Sequence, residues 1–231
     1  MPVAIITGGS RGFGRALAID LAKDGWSVVL DGREPGPLAE VAGRLGDLGA
    51  PSAVVVGDVA SPAHRRELVA AAREFGPLEL LVNNASSLGP SPLSRLEHYG
   101  LADLRDVYEV NVVAPLALVQ EALPDLRRAR GTVVSLSSDA AVEDYEGWGG
   151  YGSSKAALDH LHRTLAAEEP DLRVFEFDPG DMRTDMHQAA FPGEDISDRP
   201  EPESAVAALR GLLDSDALSG RYRAGAWGAS S

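Results

Sequence analysis

The apolar run that opens the chain ends in Thr7-Gly8-Gly9-Ser10-Arg11-Gly12-Phe13-Gly14 and passes directly into a segment of helical period. A strand, a glycine-rich turn and a helix in that order admit few folds. Glycines let the backbone turn sharply and approach a ligand closely, while the helix start presents free N–H groups and the positive end of its dipole. The order therefore points to a βαβ unit whose first turn receives the pyrophosphate of a dinucleotide, with Gly8, Ser10, Arg11, Gly12, Phe13 and Gly14 as contact residues. Taken alone, the same glycines would also suit a tight turn needed only for packing.

The rest of the chain repeats the theme. Short Val-, Ile- and Leu-rich runs alternate with helical segments, the pattern of parallel strands joined by crossover helices. Strands are expected at residues 3–7, 27–30, 53–56, 78–82, 132–136, 173–177 and 221–226. Helices are expected at 14–23, 37–45, 62–74, 101–126, 153–168 and 202–213, most of them closed by a Gly or Pro. Strands that are almost continuously apolar imply burial on both faces. The expected fold class is therefore α/β: a doubly wound, Rossmann-type architecture with a seven-stranded, mostly parallel sheet and helices on both faces. The 231 residues suit one domain over 1–231, with no repeat or linker to divide it. Residues 181–201 break the pattern, since Pro192, Gly193 and Pro200 stand among acidic residues with no clear period, and a mobile substrate lid is expected there. Residues 228–231 are expected to fray.

Composition removes several function classes. The 21 basic and 35 acidic residues give a formal charge of −14, which repels phosphate backbones and anionic lipid, so no nucleic-acid partner is expected. The absence of cysteine excludes disulfides, thiolate metal sites and a thiol nucleophile. His64, His98, His160, His162 and His187 show no metal-ligand spacing, and no metal is expected. No run approaches the roughly 20 apolar residues of a membrane span. With no basic leader at the N-terminus, a cytoplasmic location is expected.

The end of the second strand bears on cofactor choice. An acid there would hydrogen-bond a ribose 2′-hydroxyl, whereas an arginine would meet a 2′-phosphate. The segment reads Asp31-Gly32-Arg33. Asp31 continues the strand directly and is expected to point away from the ribose, leaving Arg33 and Arg11 to clamp a phosphate. NADP(H) is the expected cofactor. NAD(H) is the alternative, in which Arg33 is a solvated surface charge.

Further along come Asn83-Asn84-Ala85 after the fourth strand, Asn111, Ser138 after the fifth, Tyr151-Gly-Ser-Ser-Lys155, and Pro179-Gly180 after the sixth. A Tyr and a Lys four residues apart share one helical face. A free tyrosine titrates near 10, so a fixed cation beside it would help it exchange protons at neutral pH. Ser138 lies 13 residues before Tyr151. With the glycine turn, these residues resemble the short-chain dehydrogenase/reductase family from Val3 to about Met186. That spacing within the family selects Ser138 over Ser135 and Ser137.

The resemblance implies an oxidoreductase interconverting a carbonyl and a secondary alcohol. It makes Tyr151 the general acid/base, Lys155 its cation and a ribose ligand, Ser138 the group that orients the substrate oxygen, and Asn111 the holder of a water in a proton relay through Lys155. Asn111 also fits a purely structural amide that kinks its helix. The resemblance further places Asp58 and Val59 at the adenine, Asn84 and Ala85 beside the cofactor, and Pro179, Gly180, Met182 and Thr184 at the nicotinamide, and it implies a homodimer or homotetramer. The family's usual Asn-Asn-Ala-Gly here ends in Ser86, and the C-terminus is shorter than the family usually shows. The loop before Tyr151 is acidic and aromatic, so Asp144, Tyr145 or Trp148 is expected either to contact a polar or cationic substrate or to form a solvated loop.

Two other functions fit part of this pattern. An epimerase or dehydratase shares the Tyr-Lys pair but needs a larger substrate region than the span after Pro179 supplies. A cofactor-binding sensor or scaffold would be expected to have lost Tyr, Lys or Ser, and all three are present.

Overall fold

The computed structural model describes residues 1–227; the tail 228–231, expected to fray, lies outside the described residues. Seven strands form one sheet: β1 (Val3–Ile6), β2 (Ser27–Gly32), β3 (Ser52–Val56), β4 (Leu78–Asn83), β5 (Thr132–Leu136), β6 (Arg173–Asp178) and β7 (Gly220–Arg223). Their order is β3-β2-β1-β4-β5-β6-β7, and every neighbouring pair is parallel. Parallel neighbours need crossovers, and helices α1 (Gly12–Lys23), α2 (Pro35–Asp47), α3 (Pro62–Arg73), α6 (Gly149–Glu168) and α8 (Pro202–Leu213) serve five of the six connections.

Alternation along each strand sends neighbouring side chains to opposite faces. Val28 and Leu30 join α1, α2 and α8 in one core; Val29 joins α3, α6 and a further helix, α5 (Ala114–Ala129), in the other. Both cores are apolar, which is why β1 reads as four apolar residues in a row, each fully buried. No helix among the described residues is long and apolar enough to cross a membrane.

Three segments differ from expectation. The helix expected over 101–126 is divided into α4 (Leu101–Tyr108) and α5 by a π-helical turn, Glu109–Val113. Such a turn adds a residue to the helical repeat and re-aims side chains; here it carries Asn111, which is 1% exposed. The last strand stops at Arg223 and gives way to α9 (Ala224–Trp227), where the chain turns back and sets Trp227 edge-on to Tyr222 with ring centroids 5.4 Å apart. Within the expected lid lies a short helix, α7 (Asp185–Ala190). The lid's base is closed by the Arg183 N–H donating to the Pro200 carbonyl at 2.9 Å and by an Arg183–Glu201 ion pair.

Phe175 of β6 is fully buried with its ring edge-on to Tyr222 at 5.6 Å. Phe175→Ala is expected to lower unfolding free energy by about 3–5 kcal/mol. Chemical denaturation would check this, and a loss below about 1 kcal/mol would mean that the β6–β7 core closes around the gap.

Candidate active site

The strand order reverses between β1 and β4, and the turn from Thr7 to Gly14 sits at that reversal. Thr7 Oγ1 donates to the Val82 carbonyl at 3.3 Å and accepts from the N–H groups of Asn84 and Ala85, both at 3.0 Å. The Asn84 amide donates to the carbonyls of Thr7 (2.7 Å) and Gly8 (3.0 Å). A Cβ at Gly14 would stand 2.6 Å from that amide nitrogen and 2.7 Å from the Gly8 oxygen, so the turn closes only on glycine. Helix α1 starts at Gly12 with no side-chain cap and no acid in its first turn, leaving its free N–H groups open to an anion. Ser10 packs beside Gly32, and Phe13 is buried against Phe177, so these two residues shape the turn from beneath.

Asp31 is turned inward, as expected, and is 2% exposed. It accepts from the Gly8 N–H at 2.6 Å and pairs with His64 Nε2 at 3.0 Å. Arg33 is exposed at the same edge. Arg11 does not lean toward it: its guanidinium pairs with Glu34 at 2.8 Å and Asp185 at 3.2 Å, tying the β2–α2 connection to α7. Asp58 is exposed and caps Ala60 N–H at 2.9 Å, while the Val59 carbonyl accepts from buried Arg65 at 2.7 Å.

On the other side of the crevice, Tyr151 and Lys155 lie one turn apart on α6, 9% and 2% exposed. Gly152 lets α6 press against the turn after β5, since a Cβ there would meet the Ala140 carbonyl at 2.5 Å. Lys155 Nζ donates to the Leu136 carbonyl at 2.7 Å and stands 5.5 Å from the Tyr151 ring centroid. Burial pushes the Tyr151 phenol up to about 12, against hydrogen bonds from Ser138 and Ser86 that pull it down. Burial brings Lys155 down to about 8, opposed by the charge of Asp159. The expected depression of the tyrosine by Lys155 is thus not what governs here. The ammonium is engaged with a carbonyl and the ring, and desolvation of the phenolate dominates.

Ser138 Oγ donates to Asp139 Oδ1 at 3.0 Å and accepts from the Ala140 N–H at 3.2 Å. The Asn111 carboxamide is saturated. Its nitrogen donates to the Ser87 carbonyl (2.8 Å) and Ser154 Oγ (2.9 Å), and its oxygen accepts from the Ser87 N–H (2.7 Å) and Ser86 Oγ (3.2 Å). With both donors and both lone pairs engaged, the side chain is a strut and leaves no position for a water; a relay water would have to use its backbone.

The loop after β6 closes the crevice from above. Gly180 N–H donates to Asp178 Oδ1 at 3.0 Å, Pro179 is half-buried beside it, and Met182 packs on the α1-side core. Thr184 caps α7 and lies against Gly12, where a Cβ would stand 3.4 Å from its methyl. Trp148 packs edge-on to Tyr151 at 5.7 Å and against Phe191 of the lid at 6.0 Å, within an apolar wall that includes Leu88 and Leu93. Of the three loop residues singled out, only Trp148 reaches this wall. Asp144 and Tyr145 line an outer groove of about 490 Å³ together with Leu96 and Glu146, and the Tyr145 hydroxyl bonds Asp139 and Glu143.

Sequence reasoning missed the groups that hold this site from behind. Arg221 of β7 donates to the Ser138 carbonyl (2.9 Å) and to Asp178 (3.0 Å), and stands 3.3 Å from Asp159. The signal was present: Glu176 and Asp178 alternate with apolar residues in a strand read as buried, and Arg221 lies in the strand beside it. A buried charge favours a partner of opposite sign, and Asp178 finds one in Arg221.

Residues 2–195 match the profile of the short chain dehydrogenase family. A sepiapterin reductase of Mus musculus is 35% identical over 221 residues, spanning 90% of this chain and 84% of the mouse protein. Among solved structures, an alcohol dehydrogenase from the archaeon Thermococcus sibiricus complexed with 5-hydroxy-NADP matches with a TM-score of 0.87 at 31% identity over 96% of this chain and 95% of that one. A short-chain dehydrogenase from Shigella flexneri complexed with NADP matches with a TM-score of 0.90 at 27% identity over 97% of both. An all-parallel sheet, a glycine turn at its reversal point and a profile match across most of the chain together establish that the protein belongs to the short-chain dehydrogenase/reductase family, oxidoreductases acting on CH–OH and C=O groups.

Proposed function

We propose that the protein is an NADP(H)-dependent oxidoreductase that interconverts a carbonyl and a secondary alcohol, with Tyr151 as general acid/base. The observation that carries this is the gathering of Tyr151, Lys155 and Ser138 at the C-terminal end of β5, across the crevice from the glycine turn.

The crevice suits a dinucleotide, because Gly14 lets the glycine turn close tightly on Gly8 and Asn84 and the uncapped start of α1 favours an anion. Gly8, Ser10, Arg11, Gly12, Phe13 and Gly14 would hold the pyrophosphate, Asp58 and Val59 the adenine, and Asn84 and Ala85 the wall. Tyr151 and Lys155 would hold the ribose, and Pro179, Gly180, Met182 and Thr184 the nicotinamide. The inward turn of Asp31 removes a carboxylate that would repel a 2′-phosphate, and exposed Arg33 favours it; this supports NADP(H) over NAD(H). Arg11 would have to exchange two exposed ion pairs for the phosphate, and such pairs are worth at most about 1 kcal/mol each. When bound, NADP(H) supplies or takes the hydride.

The chain's own residues handle the proton. In the reducing direction the Tyr151 phenol, protonated at neutral pH, donates to the oxygen that becomes the alcohol. The tyrosinate left behind is met by Ser138 and Ser86 and by the Lys155 ammonium. Ser138 Oγ orients the substrate oxygen once its hydrogen turns from Asp139. Asn111 holds the Ser86–Ser87 segment and α6 at their working distance. Trp148, Phe191 and Leu88 favour a substrate with an apolar or aromatic body beside its carbonyl, under residues 181–201 as a lid. On the family resemblance, we place the enzyme in the cytoplasm as a homodimer or homotetramer acting on small molecules.

Tyr151→Phe is expected to cut NADPH oxidation with a carbonyl panel by at least about 100-fold while NADPH binding, read by fluorescence, is kept. Equal rates in both proteins would sink the mechanism. Arg33→Ala is expected to weaken NADPH roughly 10- to 100-fold and leave NADH unchanged. Parallel losses for both cofactors would refute the role given to Arg33. The rate of reduction is expected to fall as pH rises through about 8, where Lys155 loses its proton.

A further inference from the structure

Below the site, on the side of the sheet that α6 covers, a polar row crosses four strands. Asn83 of β4 is in register with Ser135 of β5, Ser135 with Glu176 of β6, and Glu176 with Arg221 of β7. One level lower the same face is apolar, with Leu81, Val133 and Val174. Asp159 and His162 of α6 close over the row, and both are 2% exposed. The Asn83 amide donates to Ser135 Oγ at 3.2 Å, which lies 3.0 Å from His162 Nε2. Asp159 Oδ2 accepts from Ser137 Oγ at 2.7 Å and lies 3.3 Å from Arg221 Nε.

Glu176 stands apart. It is fully buried, and neither carboxylate oxygen has a hydrogen-bond partner. An ionised carboxylate in that setting costs several kcal/mol, and two neighbouring carboxyls resist ionising together. Asp159 has a donating hydroxyl and a paired guanidinium to support a charge, whereas Glu176 has no side-chain donor, and burial and the Asp159 charge outweigh the charges of Arg163 and Arg221. The charge therefore belongs on Asp159 and the proton on Glu176.

We propose that Asp159 and Glu176 form a carboxyl pair that carries one negative charge below neutral pH, and that the charge held on Asp159, one turn behind Lys155, keeps the Lys155 ammonium protonated. This rests on Lys155 being the cation behind Tyr151. Lys155 makes its hydrogen bond to a carbonyl, so Asp159 acts through space. The other groups facing the pair are Asn83 from β4, Ser135 and Ser137 from β5, Asp178 from β6, Arg221 and Arg223 from β7, and His162 and Arg163 from α6. His162 is held near 4 by burial and the Lys155 charge, so it adds no charge at neutral pH. Burial and the Asp159 charge lift Glu176 to about 7, and burial raises Asp159 as well. Because Glu176 binds its proton more tightly folded than unfolded, its share of stability is full at low pH and is lost as pH rises through about 7.

The test compares the full-length protein with Glu176→Gln and Asp159→Asn. In the infrared, the wild type at pH 6 is expected to show a protonated-carboxyl carbonyl band that fades by pH 8 and is missing in Glu176→Gln. The fall of melting temperature between pH 5 and 8 is expected to flatten in Glu176→Gln. In the NADPH-linked pH–rate profile, the basic limb near 8 is expected to move acidward by roughly 1 unit in Asp159→Asn. If Asp159→Asn does not fold, Ser137→Ala, which removes the bond holding the charge on Asp159, is expected to move the limb the same way. No band in the wild type, or an unchanged stability slope in Glu176→Gln, overturns the carboxyl pair. A limb unmoved in Asp159→Asn, or in Ser137→Ala where it substitutes, overturns the counter-charge. A wild-type profile with no basic limb counts against the role of Lys155 itself, since the infrared and melting measurements need no turnover.

Discussion

Thr7 and Asn84 fasten the ends of β1 and β4 where the strand order reverses, and the geometry of the whole site follows from that seam. In a doubly wound sheet the crossovers on either side of the reversal run to opposite faces, so a crevice opens between two strand ends. The strand ladder ends there at the Thr7 N–H bond to the Val82 carbonyl, and the peptide groups at and beyond that point need other partners. Thr7 Oγ1 and the Asn84 amide take up five of them, from Thr7, Gly8, Val82, Asn84 and Ala85. Asp31 takes the Gly8 N–H from the other side and is itself fixed by His64. The glycine turn is therefore held from both flanks before any ligand arrives, and such preorganisation lowers the ordering cost of binding.

A second constraint runs along the sheet rather than across it. On the α6 side, β4 to β6 are apolar at their N-terminal ends and polar toward their C-terminal ends, where Asn83, Ser135, Ser137, Glu176 and Asp178 appear. Asp159 and Asp178 are joined there through Arg221, which comes from β7. The family profile ends at residue 195, yet Arg221 reaches the Ser138 carbonyl and both Asp159 and Asp178. The C-terminal strand thus helps to set the position of a hydroxyl that lies 83 residues earlier.

Much of this was legible in the sequence because its signals are local. Apolar runs bounded by Gly and Pro located all seven strands, and the glycine turn and the Tyr-Lys spacing each fall within one turn of structure. What escaped depends on pairs distant in the chain. The inward direction of Asp31 was anticipated from its place in the strand, but its partner His64, 33 residues on, was not. The split of the helix expected at 101–126 is invisible in its hydrophobic period; Asn111 as a helix-kinking amide was one of the sequence's two readings, but its partners Ser86, Ser87 and Ser154 were not legible. The lid helix α7 has too few residues to show a period, and the last strand ended early, where the chain turns back and Trp227 meets Tyr222.

Burial acts on the Tyr-Lys pair in opposite directions, and the consequence is mechanistic. The unperturbed phenol and ammonium titrate almost together, at 10.0 and 10.5. Removed from water they separate to about 12 and about 8, because burial penalises whichever form is charged. A tyrosinate beside an ammonium is therefore disfavoured in the resting site. The resting site at neutral pH thus holds a protonated phenol beside the ammonium. It gives up the phenolic proton only to an acceptor whose own affinity rises during the reaction, as an oxygen does when a carbonyl becomes an alkoxide. Hydrogen bonds from Ser138 and Ser86 then favour the tyrosinate at the moment it forms, so their stabilisation falls on the transition state rather than on the resting enzyme.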